Sequence, residues 1–197
     1  LNWLHSRFYK GMGWEIEKKD FPNVKRFVSN CHKHGVLALA YVQFATLYYE
    51  PMKGEVPDVE TWAAVNAQGE PYTWNGYYCR WIPCITCEEW AAYIERICEI
   101  ALAEGGFDGV MFDNCFAYAC YCPRCEREFN EHMQSLPNRE DRFGYDCLKG
   151  VRQPSKGALW SACESAANAA LAAVGKPLPP PKDVKDPVEQ EWLRWRV

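Results

Sequence analysis

The sequence has no run of about 20 apolar residues, which is the length that a membrane-spanning helix needs, so we expect no membrane span. It also has no strong excess of either charge. The formal net charge is −4, which gives no reason to expect a nucleic-acid partner. No internal repeat is visible, so a repeat array is not indicated.

The start of the sequence has no initiator Met and no signal peptide, because Leu1 opens directly into a polar and aromatic stretch. We therefore expect the chain to be a processed product or a piece of a longer protein. Its 197 residues have room for one sizeable core, since domains average about 100–200 residues. Hydrophobic residues make up 48% and aromatic residues 15%, which is typical of a globular protein rich in side chains that stack on flat ligands.

Two hydrophobic runs predict the strands of a parallel sheet. Residues 36–43 and 107–113 each follow a predicted helix that ends at glycine, and their composition favours buried parallel strands. Residues 1–14 and 44–83, by contrast, predict long aromatic connections without regular structure. The alternation of helix and strand indicates a parallel α/β fold.

The C-terminal part of the sequence carries structural signals but no chemistry. Residues 159–174 are rich in Ala and predict a helix that serves packing or forms a solvated surface. The Pro-rich stretch 176–187 predicts a stiff linker before a final helix, which the end of the chain cuts short.

Eleven cysteines are present, and because this number is odd they cannot all pair in one chain. Cys120, Cys122 and Cys125 fall within six residues, a spacing that suits a tetrahedral zinc ion better than disulfide bonds. A chance cluster of thiols is the alternative. The fourth ligand is left open by the spacing, with these candidates: Cys79, Cys84, Cys87, Cys115 and His132. The pattern points to a reducing compartment and hence to the cytoplasm.

Polar residues stand where the two predicted strands end. Gln43 ends the first strand, and Asp113 with Asn114 ends the second. Active sites of α/β barrels lie at such strand ends, where a carboxylate can act as acid, base or nucleophile in glycoside chemistry. The alternative is that Asp113 only caps a loop. Aromatic residues of the preceding connection predict either a sugar-stacking surface or a loop core: Trp74, Tyr77, Tyr78 and Trp81.

Four segments together resemble the zinc-containing β-galactosidases of glycoside hydrolase family 42, and more closely the hypothetical glycosyl hydrolases related to them. The segments are residues 60–69 with their Trp and closing Gly, Arg80-Trp81-Ile82-Pro83-Cys84, Asp113-Asn114-Cys115, and Cys120-Tyr121-Cys122-Pro123-Arg124-Cys125 followed by Phe129. The last segment matches the zinc loop of that family and is the most specific of the four.

The resemblance implies a fold, a metal site and sugar contacts. Residues 1–197 would be a single incomplete segment of a (β/α)8 barrel, holding about its third and fourth strands. Arg80 and Asn114 would contact the sugar, and Gln43 and Trp81 lie in the same predicted surface. The ligands of a structural zinc ion would be Cys84, Cys120, Cys122 and Cys125.

The sequence departs from the family at one decisive position. The enzymes carry their acid/base Glu directly after the Asn, and this chain has Cys115 there. Either Asp113 takes over the role, or the acid comes from another strand, or the protein no longer hydrolyses glycosides. The nucleophile of such enzymes lies on a later strand, so the resemblance implies that these 197 residues alone are inactive.

Three hypotheses follow from these patterns. The first is a glycoside hydrolase-like protein that acts on an oligosaccharide and carries a structural zinc ion. The second is a non-catalytic carbohydrate-binding or regulatory barrel that has lost its acid/base carboxylate. The third is a cysteine-based redox or zinc-ribbon interaction protein. The sequence leaves the oligomeric state open, although the apolar edges left by the missing barrel strands would favour association into a homo-oligomer.

Overall fold

The computed structural model describes residues 2–113, 115, 119–143 and 191. The chain divides into two compact units, Leu1–Cys120 and Tyr121–Val197. The strands of the first unit are β1 (Trp3–Tyr9), β2 (Leu37–Gln43), β3 (Leu47–Tyr48), β4 (Thr73–Trp74), β5 (Tyr77–Trp81) and β6 (Gly109–Asp113). Its helices are α1 (Trp14–Glu17), α2 (Phe21–Lys33), α3 (Tyr49–Lys53) and α4 (Glu88–Glu99), with 3-10 turns at Lys18–Asp20 and Val59–Trp62 and a π-helix at Ile100–Glu104.

A parallel sheet forms the centre of the first unit, with the strands in the order β1-β2-β6. The predicted strands at 36–43 and 107–113 are confirmed as β2 and β6, and both pairings of the sheet are parallel. The prediction of a loop over 1–14 is wrong, because β1 lies there. Within the described sheet β1 is an edge strand that buries only Phe8 and Tyr9, so its sequence shows no continuous apolar run.

Helix α2 shows why the helices form where they do. Pro22 lies in its first turn, where the missing N–H costs nothing. Val24, Val28 and Cys31 recur at helical spacing and are all buried. The chain then turns at Gly35, whose φ of +66° is a left-handed conformation that Gly adopts without steric cost.

A smaller antiparallel sheet occupies the connection that follows β2, with the strands in the order β3-β5-β4. The prediction that 44–83 lacks regular structure is therefore wrong. Strands β3 and β4 have two residues each, which is too short for an alternating pattern to be recognised. The β4–β5 turn has Asn75 and Gly76 at φ of 50° and 75°, as a tight hairpin requires.

The second unit contains α5 (Pro123–Ser135) and α6 (Arg139–Phe143) in its described part. Phe129 and Met133 of α5 are buried, as their helical spacing predicts. The predictions for 159–174, 176–187 and the final helix lie outside the described residues. Across the described ranges, every helix is too short or too polar to cross a membrane.

Candidate functional site

The register of the parallel sheet places polar side chains from its two predicted strands side by side. Gln43 of β2 is paired with Asp113 of β6 at the carboxyl ends of both strands. The hydroxyl of Tyr41 donates a hydrogen bond to the Asp113 carboxylate. The Tyr41 hydroxyl also lies 3.5 Å from Oε1 of the buried Gln43, and Nη2 of Arg80 on β5 donates to that same oxygen at 3.1 Å. Side chains from three strands therefore form one hydrogen-bonded network, which we call the strand-end site.

Arg80 is held in this network by four contacts. Its Nε donates to Oγ1 of the fully buried Thr46 at 3.0 Å, in addition to the bond to Gln43. Its guanidinium carbon lies 5.5 Å from the ring centroid of Tyr48 and 5.4 Å from that of Trp74. Each cation–π contact contributes about 0.5–1 kcal/mol at a partly exposed position. The guanidinium is thus positioned before any ligand arrives.

Tyr41 belongs to the strand-end site although no sequence motif marks it. Burial, followed by the hydrogen bond to Asp113, raises the pKa of the Tyr41 hydroxyl to about 12. The hydroxyl therefore stays protonated at neutral pH and acts as a fixed donor to the carboxylate. One signal pointed to this residue, because Tyr41 lies two positions before Gln43 and side chains two apart share a face of a strand.

The structure brings together Gln43, Arg80 and Asp113 but separates Trp81 from them. Neighbouring residues of a strand point to opposite faces. Trp81 accordingly stacks on Tyr49, with ring centroids 4.0 Å apart and an interplanar angle of 7°. One face of its indole is therefore occupied, and its role in sugar binding stays a prediction. Asn114 lies outside the described residues.

Gly11, in the turn after β1, lies close to the backbone of Thr46, whose hydroxyl accepts a hydrogen bond from Arg80 of the strand-end site. A Cβ atom there would lie 2.8 Å from the carbonyl oxygen of Thr46, and the φ of Gly11 is +93°. We expect Gly11→Ala to lower the free energy of unfolding by about 3 kcal/mol or more, because backbone strain and a steric clash add. Gly69→Ala is the control, because Gly69 has a φ of +83° but no atom within 4 Å of the position that an added methyl group would take.

Urea unfolding of both variants measures the difference. Gly69→Ala should cost only the strain of a left-handed residue, about 1 kcal/mol. Equal losses for Gly11→Ala and Gly69→Ala would show that the close approach to Thr46 does not matter.

A second group of side chains has the composition of a metal site. The Sγ atoms of four buried cysteines all lie within 4.8 Å of one another: Cys84, Cys120, Cys122 and Cys125. A zinc ion with four thiolates at about 2.3 Å would space them about 3.8 Å apart, so the donors fit a closed tetrahedral site. The backbone N–H of Val65 donates to the Cys120 sulfur at 3.4 Å, which helps to stabilise negative charge on it.

The N-terminus of helix α5 stabilises the negative charge that thiolate ligands carry. Cys122 is its N-cap residue, and Cys125 lies in its first turn after Pro123. The N-terminus of a helix stabilises nearby negative charge, and thiolates rather than thiols bind metals.

The other candidates for the fourth ligand have different surroundings. Cys87 donates to the Glu89 carboxylate at 3.2 Å, and Cys115 is exposed. Cys84 is the candidate that the structure places with Cys120, Cys122 and Cys125.

No protein-family model and no curated protein matches the chain significantly. Among solved structures, it is similar to part of a maltogenic α-amylase from Thermotoga neapolitana, with 16% identity over 50% of this chain and 22% of that one and a TM-score of 0.41. It is also similar to part of an α-amylase from Geobacillus thermoleovorans in complex with acarbose, with 13% identity over 77% of this chain and 35% of that one and a TM-score of 0.42. A third similar structure is a GH31 family sulfoquinovosidase from E. rectale, with 19% identity over 54% of this chain and 17% of that one and a TM-score of 0.37.

The chain thus spans at most 35% of the length of these three proteins, which are glycoside hydrolases. Because the identities and TM-scores are this low, any assignment of function depends on the residues of the site itself.

Proposed function

We propose that the chain is part of a glycoside hydrolase-like (β/α)8 barrel related to the family 42 β-galactosidases and that it acts on an oligosaccharide. The observation that carries this proposal is the convergence of Arg80, Gln43 and Asp113 at the carboxyl edge of parallel strands. Substrates of (β/α)8 enzymes bind at that edge.

The strand order is compatible with a barrel. Strands β1, β2 and β6 are neighbours in the same order in which they follow one another along the chain, with α2 and α4 between them. A barrel has this progression throughout, and one half of a doubly wound sheet has it as well. We assign β1, β2 and β6 to the second, third and fourth barrel strands, with the remaining strands supplied from outside this chain.

In this proposal Asp113 is the catalytic carboxylate and Tyr41 orients it. Arg80, Gln43 and Asn114 contact sugar hydroxyls. Glycoside hydrolysis uses two carboxylates that flank the scissile bond, so the second one must come from elsewhere in a longer protein.

A non-catalytic carbohydrate-binding barrel is the second candidate, and Cys115 favours it. This exposed thiol stands where the related enzymes carry their acid/base Glu. A thiol is a poor donor to a leaving sugar oxygen, because catalysis needs an acid whose pKa is matched to the reaction. Both candidates predict sugar binding at the strand-end site, and only the first predicts turnover.

We further propose that the four clustered cysteines hold a structural zinc ion. Four thiolates complete its coordination, so no position remains for a reacting water. Reduced thiols are maintained in a reducing compartment, which is consistent with the cytoplasm.

Calorimetric titration of the zinc-loaded chain with β-linked galacto-, gluco-, xylo- and mannooligosaccharides tests the proposed function. We expect at least one series to bind with a dissociation constant of about 10 µM–1 mM, and we expect no hydrolysis by this chain alone. Failure of every neutral and every acidic oligosaccharide to bind would defeat both candidates. Turnover by the isolated chain would show that a second external carboxylate is not needed.

A further inference from the structure

Arg80 brings a positive charge into the strand-end site and forms no direct ion pair with a carboxylate of the described residues. Its two hydrogen-bond partners, Oγ1 of Thr46 and Oε1 of Gln43, are neutral oxygens. None of the ion pairs found within the described ranges includes Arg80. Charges that are partly withdrawn from water are usually paired, so a guanidinium without a direct ion pair in a candidate site calls for an explanation.

The guanidinium also has donors to spare. Nε and Nη2 each donate one hydrogen bond to the described residues. An arginine carries five N–H donors in a planar fork, so three remain for a ligand. The contacts with the rings of Tyr48 and Trp74 hold the group without using any of these donors.

The charge balance around Tyr41 is positive. Arg7 of β1 is the register partner of Tyr41 across the sheet. Arg7 and Arg80 both lower the pKa of the Tyr41 hydroxyl, while Asp113 raises it. Two cations therefore act on this point against one carboxylate, and that carboxylate already accepts the hydrogen bond of Tyr41. An anionic ligand group would restore the balance.

We propose that the strand-end site selects a sugar that bears a carboxylate, a uronic acid, and that Arg80 binds this group. The inference rests on the proposed function and narrows its substrate class. A planar carboxylate matches the fork geometry of a guanidinium, and such charge-assisted pairs are about twice as strong as neutral hydrogen bonds. Neutral sugars offer no group that compensates the Arg80 charge.

Matched sugar pairs test the proposal by calorimetric titration of the zinc-loaded chain. The pairs are trigalacturonic acid with α-1,4-linked galactotriose and cellobiouronic acid with cellobiose, whose members differ only in carboxylate against hydroxymethyl groups. We expect the acidic member of at least one pair to bind at least tenfold more tightly. Arg80→Gln should abolish this preference, and Arg80→Lys should retain part of it because the charge remains without the fork.

Arg96→Gln is the matched control, because Arg96 is an exposed residue of α4 and its loss should leave the preference unchanged. If Arg80→Gln does not fold, two other readouts replace it. One is the affinity of Arg80→Lys for both members of each pair. The other is the loss of the preference as the salt concentration rises from about 0.05 to about 0.5 M.

The outcomes separate the inference from the proposed function. Equal affinity for both members of each pair, or a preference that survives Arg80→Gln, would overturn the role of Arg80 while leaving oligosaccharide binding intact. Failure of all acidic and neutral sugars to bind would instead defeat the proposed function, and the inference with it.

Discussion

Replacing Cys125 with Ser should abolish binding of the proposed zinc ion and remove several kcal/mol of stability. Cys125 is completely buried in the first turn of α5, and its sulfur lies within 4.8 Å of the three other cysteine sulfurs. Structural zinc contributes about 10–16 kcal/mol of apparent free energy in small zinc-dependent peptides. Even a third of that contribution, about 3–5 kcal/mol, exceeds the loss of about 1 kcal/mol that a typical substitution causes.

Metal analysis and thermal unfolding with and without a chelator measure this effect. The native protein should contain about one zinc ion per chain and should melt at a lower temperature once the metal is removed. Cys31→Ser is the matched control, because Cys31 is also buried, on α2, but lies outside the cluster. This variant should keep its zinc. A native protein without metal, whose melting temperature a chelator does not change, would exclude the zinc site.

The same preparation separates the metal site from the redox alternative. Zinc-bound thiolates should resist alkylation in the native protein, whereas the exposed Cys115 should react. Rapid alkylation of Cys122 and Cys125 in the metal-loaded protein would favour a redox role.

Asp113→Asn should reduce glycoside turnover by about 10²–10⁴-fold in a longer protein that contains this chain and the missing carboxylate. The amide has the size of the carboxylate and still accepts the Tyr41 hydrogen bond, so the site should keep its shape. Sugar affinity should therefore change little, and the loss should appear in kcat rather than in the dissociation constant.

Initial rates with 4-nitrophenyl glycosides and calorimetric affinities provide the two readouts. Asp58→Asn is the control, because it makes the same chemical change at an exposed position outside the strand-end site. Unchanged turnover in Asp113→Asn would remove Asp113 from the catalytic role. If the unmodified longer protein shows no turnover while it binds sugar, the carbohydrate-binding candidate is favoured instead.

The sequence predicts part of this fold for a clear physical reason. Strand β2 is flanked on both sides in the parallel sheet, and its continuous apolar run reflects that position. Among the described residues strand β1 pairs with β2 alone and exposes Trp3 and Leu4, so its composition does not separate it from a loop. The small antiparallel sheet depends in part on the pairing of β3 with β5, which joins Leu47 to the distant Trp81 and which no local pattern records.

The site is predictable to a similar extent. Gln43 and Asp113 follow from the rule that function lies at strand ends, and Arg80 from the resemblance. Thr46 and Tyr41 were missed because their roles depend on which side chains meet across the fold. Sequence spacing alone does not fix those meetings, since Arg80 lies 34 residues from Thr46.

The strand-end site is assembled from two sheets, and this division has an evolutionary consequence. Asp113 and Gln43 belong to the central parallel sheet, whereas Arg80 is carried by β5 of the small antiparallel sheet. Changes in residues 47–81, which carry the small antiparallel sheet, could therefore diversify the choice of ligand without disturbing Asp113. Exchange of residues 47–81 between homologous proteins offers a modular route to new preferences on a retained scaffold.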